Sequence, residues 1–275
     1  MLNMDENQLL FQRSLKILSV PEREPDLNYL KELVSAHLTR IPFENISKIY
    51  YKKFKQLEDI PPLSLFLEGI EKFNLGGTCY SNNYYFYLLL SHLGFSVKLC
   101  GADMLNPDVH IVSIVFIDGN EYIVDSGYAA PFLIPIPRYL NQDFKIVLGN
   151  ERYVLKPMDS NGCSKMEQYR KGEYIHGYNV KPEPRKIEDF KQVIKDSFRE
   201  DAIFLNSLLI TRFYTNHSTV VHNLNLIESE GAISKSFELR DTKHLIDIIE
   251  EKFRIPKEIS SEAISELKEL KNPWN

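Results

Sequence analysis

The hydrophobic pattern of this chain changes period at Gly94, and that change limits the architectures open to it. Upstream, apolar residues recur every three or four positions, the spacing of one helix face. Leu27, Leu30, Leu33, Val34, His37 and Leu38 form one such stripe, and Pro61-Pro62 opens a second with Leu65, Phe66, Ile70 and Phe73. Pro42 prevents the Arg40–Asn45 connection from being helical throughout. A third helix is predicted after Gly76-Gly77, with Thr78 as N-cap, Cys79–Leu93 as its body and Gly94 just past its end. Cys79, Asn83, Phe86, Tyr87 and Leu90 share one face of it.

Downstream, Phe95–Met104, His110–Ile117 and Glu121–Asp125 read as strands, the last two joined by Asp118-Gly119, a strong hairpin signal. Pro131, Pro135 and Pro137 mark an irregular crossing, followed by short strands Phe144–Leu148 and Arg152–Leu155 around a Gly-Asn turn. In the last third, Ile187, Phe190, Val193 and Ile194 suggest a helix. Ile203–Thr215 and Ser218–Ile227 look like strands, the second alternating through Val220, His222, Leu224 and Leu226. Leu245, Ile248, Ile249 and Phe253 fit another helix, and Ser261–Lys271 a last, largely charged one. Helices, then strands, then a mixture is an α+β order with segregated parts. It divides the chain into a helical region 1–94, a β-rich region 95–185 and an α/β region 186–275.

With 275 residues, 43% hydrophobic and 26% charged, the composition is that of a globular protein large enough to enclose a core and a cleft. A net charge of −5 without a basic block speaks against a nucleic-acid partner. No apolar run reaches the roughly 18–20 residues of a membrane span. The N-terminal MLNMDENQLL lacks the basic start and apolar core of a signal peptide, so a cytoplasmic location is expected. Cys79, Cys100 and Cys163 are odd in number and form no CxxC pair, which argues against disulfide scaffolding and a Cys-rich zinc site. No HExxH-like spacing points to another metal. Each cysteine is then a small buried hydrophobe or a reagent.

Cys79 has the context of a reagent. Two preceding glycines let the backbone turn sharply and approach a ligand closely. In the first turn of a helix, unpaired N–H groups and the macrodipole favour an anion, which lowers a thiol's pKa and provides donors for the oxyanion of an acyl-transfer intermediate. The competing reading is a cysteine that fills a tight glycine corner. A nucleophilic Cys needs a base, and the base an orienter. If Asp118-Gly119 is a two-residue type I′ loop, Ile117 pairs with Asn120 and position 125 faces Val112. Asp125 then lies on the same sheet face as His110, two residues along, a diagonal relation of about 7–8 Å between Cα atoms. A one-residue slip would put them on opposite faces. An Asp at the end of the apolar run Tyr122-Ile123-Val124 is costly without a partner. His110 alone also reads as a strand-end surface histidine; together with Asp125 and Cys79 it reads as a triad. His37 and His92 fall on helix patterns as packed or surface residues, and His217, His222 and His244 lack a spaced carboxylate or Cys cluster. Cys100 reads as core, and Cys163 as a loop residue. The run Tyr84-Tyr85-Phe86-Tyr87 reads as helix core, with the lining of an apolar pocket below the Cys as the other reading.

These residues resemble a family, the arylamine N-acetyltransferases. His37…Ile41-Pro42-Phe43-Glu44-Asn45 matches its H…IPFEN segment, and Gly76-Gly77-Thr78-Cys79…Asn83 its GGxC…N turn. Val109-His110 with the following strand and Asp118-Gly119 matches its second segment, and Tyr122-Ile123-Val124-Asp125-Ser126-Gly127-Tyr128 its YxVDxG(F/Y) segment. The order of regions is similar over the full length. The resemblance implies an N-terminal helical bundle, a central antiparallel β-barrel-like region and a C-terminal α/β lid. It also implies a Cys79-His110-Asp125 acyltransferase that takes an acetyl group from acetyl-CoA, without a metal, and passes it to the nitrogen of a small arylamine, hydrazine or arylhydroxylamine. Phe43, Asn83, Gly127 and Tyr128 fall at candidate CoA and acceptor pocket positions, and the protein is expected as a monomer or homodimer. Leu75, Thr78 and Ser81 depart from the pattern. The family usually has Arg at the position of Leu75, and that Arg commonly pairs with the IPFEN glutamate, here Glu44. The same triad also serves amide synthesis and thioester hydrolysis, and the departures leave a non-catalytic binding homologue as a further alternative.

Overall fold

The computed structural model describes residues 4–267 and 270. The first five helices are α1 (Met4–Leu18), α2 (Leu27–Arg40), α3 (Ile46–Lys55), α4 (Leu63–Phe73) and α5 (Cys79–His92), with the short strand β1 (Phe43–Glu44) between α2 and α3. Asp26 starts α2 by accepting a 2.6 Å bond from the Tyr29 N–H, and Gly94, at φ +84, ends α5. The periodic pattern locates α2, α4 and α5. It does not separate out α1, or α3, whose lysines at 48, 52, 53 and 55 obscure an apolar side of Ile46, Ile49 and Tyr51. Helix α5 is also not amphipathic as expected. It is buried around most of its circumference: Phe86 and Leu90 face the helical core, whereas Cys79 and Tyr87 pack by Leu99, Ile111 and Phe190.

The second part is an eight-stranded antiparallel sheet, made of β2 (Ser96–Asp103), β3 (His110–Ile117), β4 (Asn120–Val124), β5 (Ile136–Pro137), β6 (Phe144–Leu148), β7 (Glu151–Leu155), β8 (Ser164–Arg170) and β9 (Glu173–Pro184). Their order is β5-β4-β3-β2-β9-β8-β7-β6. The β3–β4 hairpin has the expected register, with Ile117 opposite Asn120 and Ser113 opposite Val124. Asp118 and Gly119 both adopt positive φ, 49° and 76°, as a type I′ loop requires. Strands β8 and β9 carry no clear strand signal, because SKMEQYR is largely polar and EYIHGYNVKPEP holds a glycine and two prolines. Helices α1, α2, α4 and α5 share one core with this sheet.

The last part contains α6 (Lys191–Asp196), β10 (Leu209–Phe213), β11 (His217–His222), β12 (Asn225–Glu230), β13 (Ile233–Glu238), α7 (Thr242–Phe253) and α8 (Lys257–Ser265). A five-stranded sheet runs β1-β10-β11-β12-β13, so the IPFEN segment contributes its edge strand. Ile46, Ile49, Tyr51 and Leu75 join Leu245, Ile249 and Phe253 in a second core. Three expectations from the sequence are corrected by this part. Ile203–Thr215 is a 3₁₀ turn at Ile203–Leu205 and then β10, because Asn45 binds the carbonyls of Phe204 and Ser207 and the N–H of Leu209 in place of a strand partner. Ser218–Ile227 is a hairpin rather than one strand. His222 pairs with Asn225, and Asn223 takes the left-handed turn conformation at φ 50 without a glycine to announce it. The final helix starts earlier than expected, after Pro256, and its described part ends at Ser265. Residues 268, 269 and 271 of the expected Ser261–Lys271 helix lie outside the described residues.

Candidate active site

Cys79 is the first residue of α5 and is partly exposed. Its position follows from the glycine turn before it. A Cβ at Gly76 would lie 1.9 Å from the Pro42 carbonyl oxygen, so only glycine allows the turn to pass under the IPFEN segment. Glu44 holds the turn from the other side. Its carboxylate accepts from the N–H of Gly76 at 2.9 Å and of Ser47 at 2.8 Å, while its own N–H donates to the Gly77 carbonyl at 3.1 Å. Backbone donors hold a carboxyl that is 0% exposed, and burial pushes its pKa up. A second clamp runs through Asn82, which donates to the Gly77 carbonyl at 2.6 Å and meets His37 Nε2 at 3.2 Å. Thr78 occupies the N-cap position, but among the described residues its side chain makes no capping bond, and the first turn of α5 holds no acid. The leading N–H groups of α5 therefore face no side-chain competitor for an anion.

His110 begins β3 and Asp125 follows β4. Nε2 of His110 and Oδ2 of Asp125 are 2.8 Å apart, and the two residues are 1% and 2% exposed. Burial alone would lower the imidazole pKa. The charge and hydrogen bond of Asp125, joined by a hydrogen bond and charge from Cys79, outweigh burial and hold it up to about 10. Burial likewise works against the Asp125 charge, and the imidazolium, Asn83 and the Gly127 N–H together keep that carboxyl below its ordinary value. His110 and Asp125 thus form a buried pair, and Cys79 lies close by, since a Cβ on Gly127, whose N–H binds Asp125, would stand 2.7 Å from Cys79 Cα.

The pocket candidates separate by role. Asn83 is buried, and its amide donates to Asp125 Oδ1 at 2.9 Å and the Ile111 carbonyl at 2.6 Å while accepting from Ser126 N–H at 2.7 Å. It ties α5 to the hairpin and fixes the second carboxylate oxygen. The N–H of Gly127 donates to that same oxygen at 3.0 Å, and a Cβ there would stand 2.7 Å from Cys79 Cα. The ring of Tyr128 is centred 5.7 Å from His110, and its hydroxyl meets His176 Nδ1 at 2.7 Å. Phe43 packs edge-on to Phe204 at 5.7 Å. Cys100 is buried and Cys163 partly exposed. His92 stacks on Phe11, and His217 on Tyr214. The rings of Tyr84 and Tyr87 stack on each other, while Tyr85 packs against Phe66. Sequence reasoning misses Tyr178, whose ring lies 5.0 Å from His110. Among the described residues, no three His, Cys, Asp or Glu side chains are grouped as metal ligands. Nor is any helix long and apolar enough to cross a membrane.

Comparison with known proteins bears on the family and the fold. The N-acetyltransferase family model matches residues 26–261. The pineal gland isozyme NAT-3 of arylamine N-acetyltransferase from Gallus gallus is 27% identical over 195 residues, 61% of this chain and 64% of that protein. Arylamine N-acetyltransferase 2 of Mus musculus is 24% identical over 197 residues, with the same coverage. The match therefore spans just under two thirds of the length of these curated relatives. Among solved structures, the arylamine N-acetyltransferase from Mycobacterium abscessus superposes with a TM-score of 0.79 at 16% identity, covering 96% of this chain and 97% of that one. That of Mycobacterium marinum in complex with CoA gives 0.77 at 19% identity, covering 94% and 99%. These structures share the fold, and with the family match over most of its length the chain belongs to the arylamine N-acetyltransferase family.

Proposed function

We propose that this protein transfers an acetyl group from acetyl-CoA to the nitrogen of a small aromatic amine or hydrazine through a thioester on Cys79. The observation that carries the reading is the buried 2.8 Å contact between His110 and Asp125, with Cys79 at the uncapped start of α5 backed against Gly127, whose N–H binds Asp125. Cys79 as thiolate attacks the thioester carbonyl carbon. The charge that develops on the carbonyl oxygen is met by the free N–H groups at the helix start. Collapse expels the CoA sulfur, which takes a proton from His110, and leaves acetyl on Cys79. In the second half-reaction the amine nitrogen attacks the acetyl carbon, His110 accepts the amine proton, and Cys79 departs as thiolate. Asp125 holds the imidazole in one orientation and stabilises its charged form.

Support comes from the family match, from relatives named as arylamine N-acetyltransferases and from a neighbour with CoA bound. The test has two steps. Mass spectrometry after incubation with acetyl-CoA is expected to find one acetyl group on Cys79, and addition of an arylamine to release it with formation of the amide. A Cys79 that stays unmodified with several acyl-CoAs would overturn the proposal.

A further inference from the structure

Two side chains of α5, three residues apart and so on one face of the helix, reach over to the start of β3. Asn83 donates to the Ile111 carbonyl at 2.6 Å, and the Tyr80 hydroxyl to the Asp108 carbonyl at 2.8 Å. The two carbonyls bracket His110. Residues 110–112 pair with β2, but the ladder to β4 begins only at Ser113, so α5 takes over part of the support of this end of β3. Tyr80 is joined through the backbone to Cys79 and holds, at its other end, the loop that delivers His110. Its side chain belongs to a residue only 6% exposed, and burial raises its pKa, so the phenol stays protonated and serves as a donor. The acceptor is anchored in turn. Asp108 takes the left-handed conformation at φ 56. Its carboxylate pairs with Lys181 at 2.7 Å and Arg185 at 3.1 Å, and its N–H donates to Asp103 at 2.8 Å. The Arg185 guanidinium lies 5.0 Å from the centre of the Phe190 ring, and that ring is 6.3 Å from the ring of Tyr80. Tyr80, Asp108, Arg185 and Phe190 therefore close a circuit between α5, the 103–109 loop and the chain that follows β9.

We infer that Tyr80 is a positioning residue for acyl transfer: by tying the Asp108 carbonyl to the residue that follows Cys79, it sets where the imidazole stands relative to the sulfur. The inference rests on the acyl-transfer reading above. The Tyr80 hydroxyl is engaged by a backbone carbonyl, so its effect on the reaction passes through His110.

The test compares two tyrosines of the same helix in the full chain. Tyr80→Phe removes the one bond and keeps the ring in its packing with Leu99, Ile111 and Phe190. Tyr85→Phe is the matched control, because that hydroxyl also donates to a backbone carbonyl, of Pro61, in a segment that holds no triad residue. Both variants are expected to lower Tm by a similar few degrees. Only Tyr80→Phe is expected to slow transfer: kcat falls about tenfold to a hundredfold, as for a catalytic group misplaced by up to about 1 Å, while KM for acetyl-CoA stays within about twofold. Alkylation of Cys79 by iodoacetamide at neutral pH, which needs no CoA, is expected to slow several-fold in Tyr80→Phe alone, since a displaced imidazolium no longer supports the thiolate. Asp108→Asn keeps the carbonyl and the tolerance for left-handed backbone but releases Lys181 and Arg185. It is expected to lower kcat about three- to fivefold, and to add less than that on top of Tyr80→Phe, because both act through one carbonyl. Equal effects of Tyr80→Phe and Tyr85→Phe on kcat and alkylation overturn the inference. So does a raised KM with kcat unchanged, which would make Tyr80 a wall of the cleft it lines with Thr78 and Ser81. Where Tyr80→Phe does not fold, Asp108→Asn decides, and unchanged kcat and alkylation in that variant overturn the inference. A wild-type Cys79 that takes no acetyl from acetyl-CoA would instead overturn the proposed function, and the alkylation comparison then still decides the role of Tyr80.

Discussion

Two histidines are buried to nearly the same degree, and they differ in almost everything else. His37 on α2 is 3% exposed, packs against Phe86 at 4.6 Å and meets a neutral amide, Asn82. His110 on β3 is 1% exposed and meets a carboxylate, Asp125. Burial lowers His37 to about 4, with the Asn82 bond only partly opposing it. Burial acts on His110 in the same direction, but Asp125 and Cys79 hold it up to about 10. Depth alone therefore does not mark a reactive imidazole. The charge of its partner does, and that charge must itself be anchored, as Asp125 is by Asn83 and Gly127. His37 serves the site at one remove, through Asn82 and the Gly77 carbonyl.

The comparison breaks most visibly if the partners are exchanged. Asp125→Asn gives His110 the same kind of partner as His37. Loss of the orienting charge is expected to slow acetylation of Cys79 by acetyl-CoA by about 10³-fold or more, while the near-native circular dichroism is retained. A loss below tenfold would mean that Asp125 is structural. The two histidines should also mark opposite pH limbs of stability. His37 is neutral in the folded state, so the unfolded chain binds the extra proton between pH 6.5 and about 4. Stability then falls on acidification through that window, by about 3 kcal/mol. Because the folded pKa of His110 is raised, its contribution is complete below pH 6.5 and is lost as pH rises through about 10. Denaturant titrations across pH should show His37→Gln flattening the acid limb alone and His110→Gln the alkaline limb alone. Asn82→Asp is the milder converse. It places a carboxylate on His37 but removes the amide donor to Gly77, for a net loss of about 1–3 kcal/mol. The His37 ring should titrate at higher pH by NMR, and an unmoved titration would detach the pKa from partner charge.

How much of this is legible in the sequence depends on whether a local signal exists. Asp118-Gly119 fixes its own loop geometry, so the register of one hairpin and the shared face of His110 and Asp125 follow from the residues alone. Asn223-Leu224 makes a comparable reversal with no glycine, and an alternating apolar pattern runs straight across it. The glycine pair before Cys79 announces a tight turn. What packs under it, Pro42 and Glu44, is brought there by a strand pairing between residues 43–44 and 210–211 that no local pattern encodes. Tyr178 escapes notice for the same reason, since its ring reaches His110 only through the pairing of β9 with β2, which no local pattern encodes.

The finest test concerns the aromatic shell rather than the charges. Tyr128 lies 5.7 Å from the His110 ring, edge-on to Tyr178 at 4.8 Å and parallel to Phe132 at 6.0 Å. Its hydroxyl points away, to His176. Tyr128→Phe removes that one bond and keeps all three ring contacts, so it should cost about 1 kcal/mol. For a chain of this size that is a fall in Tm of roughly 2–4 °C. If His110 differs from His37 because of Asp125, its alkaline stability limb survives the substitution unmoved. A limb displaced by a full pH unit would instead make the surrounding rings, and with them the exclusion of water, a determinant equal to the carboxylate. The distinction between the two histidines would then rest on packing as much as on charge.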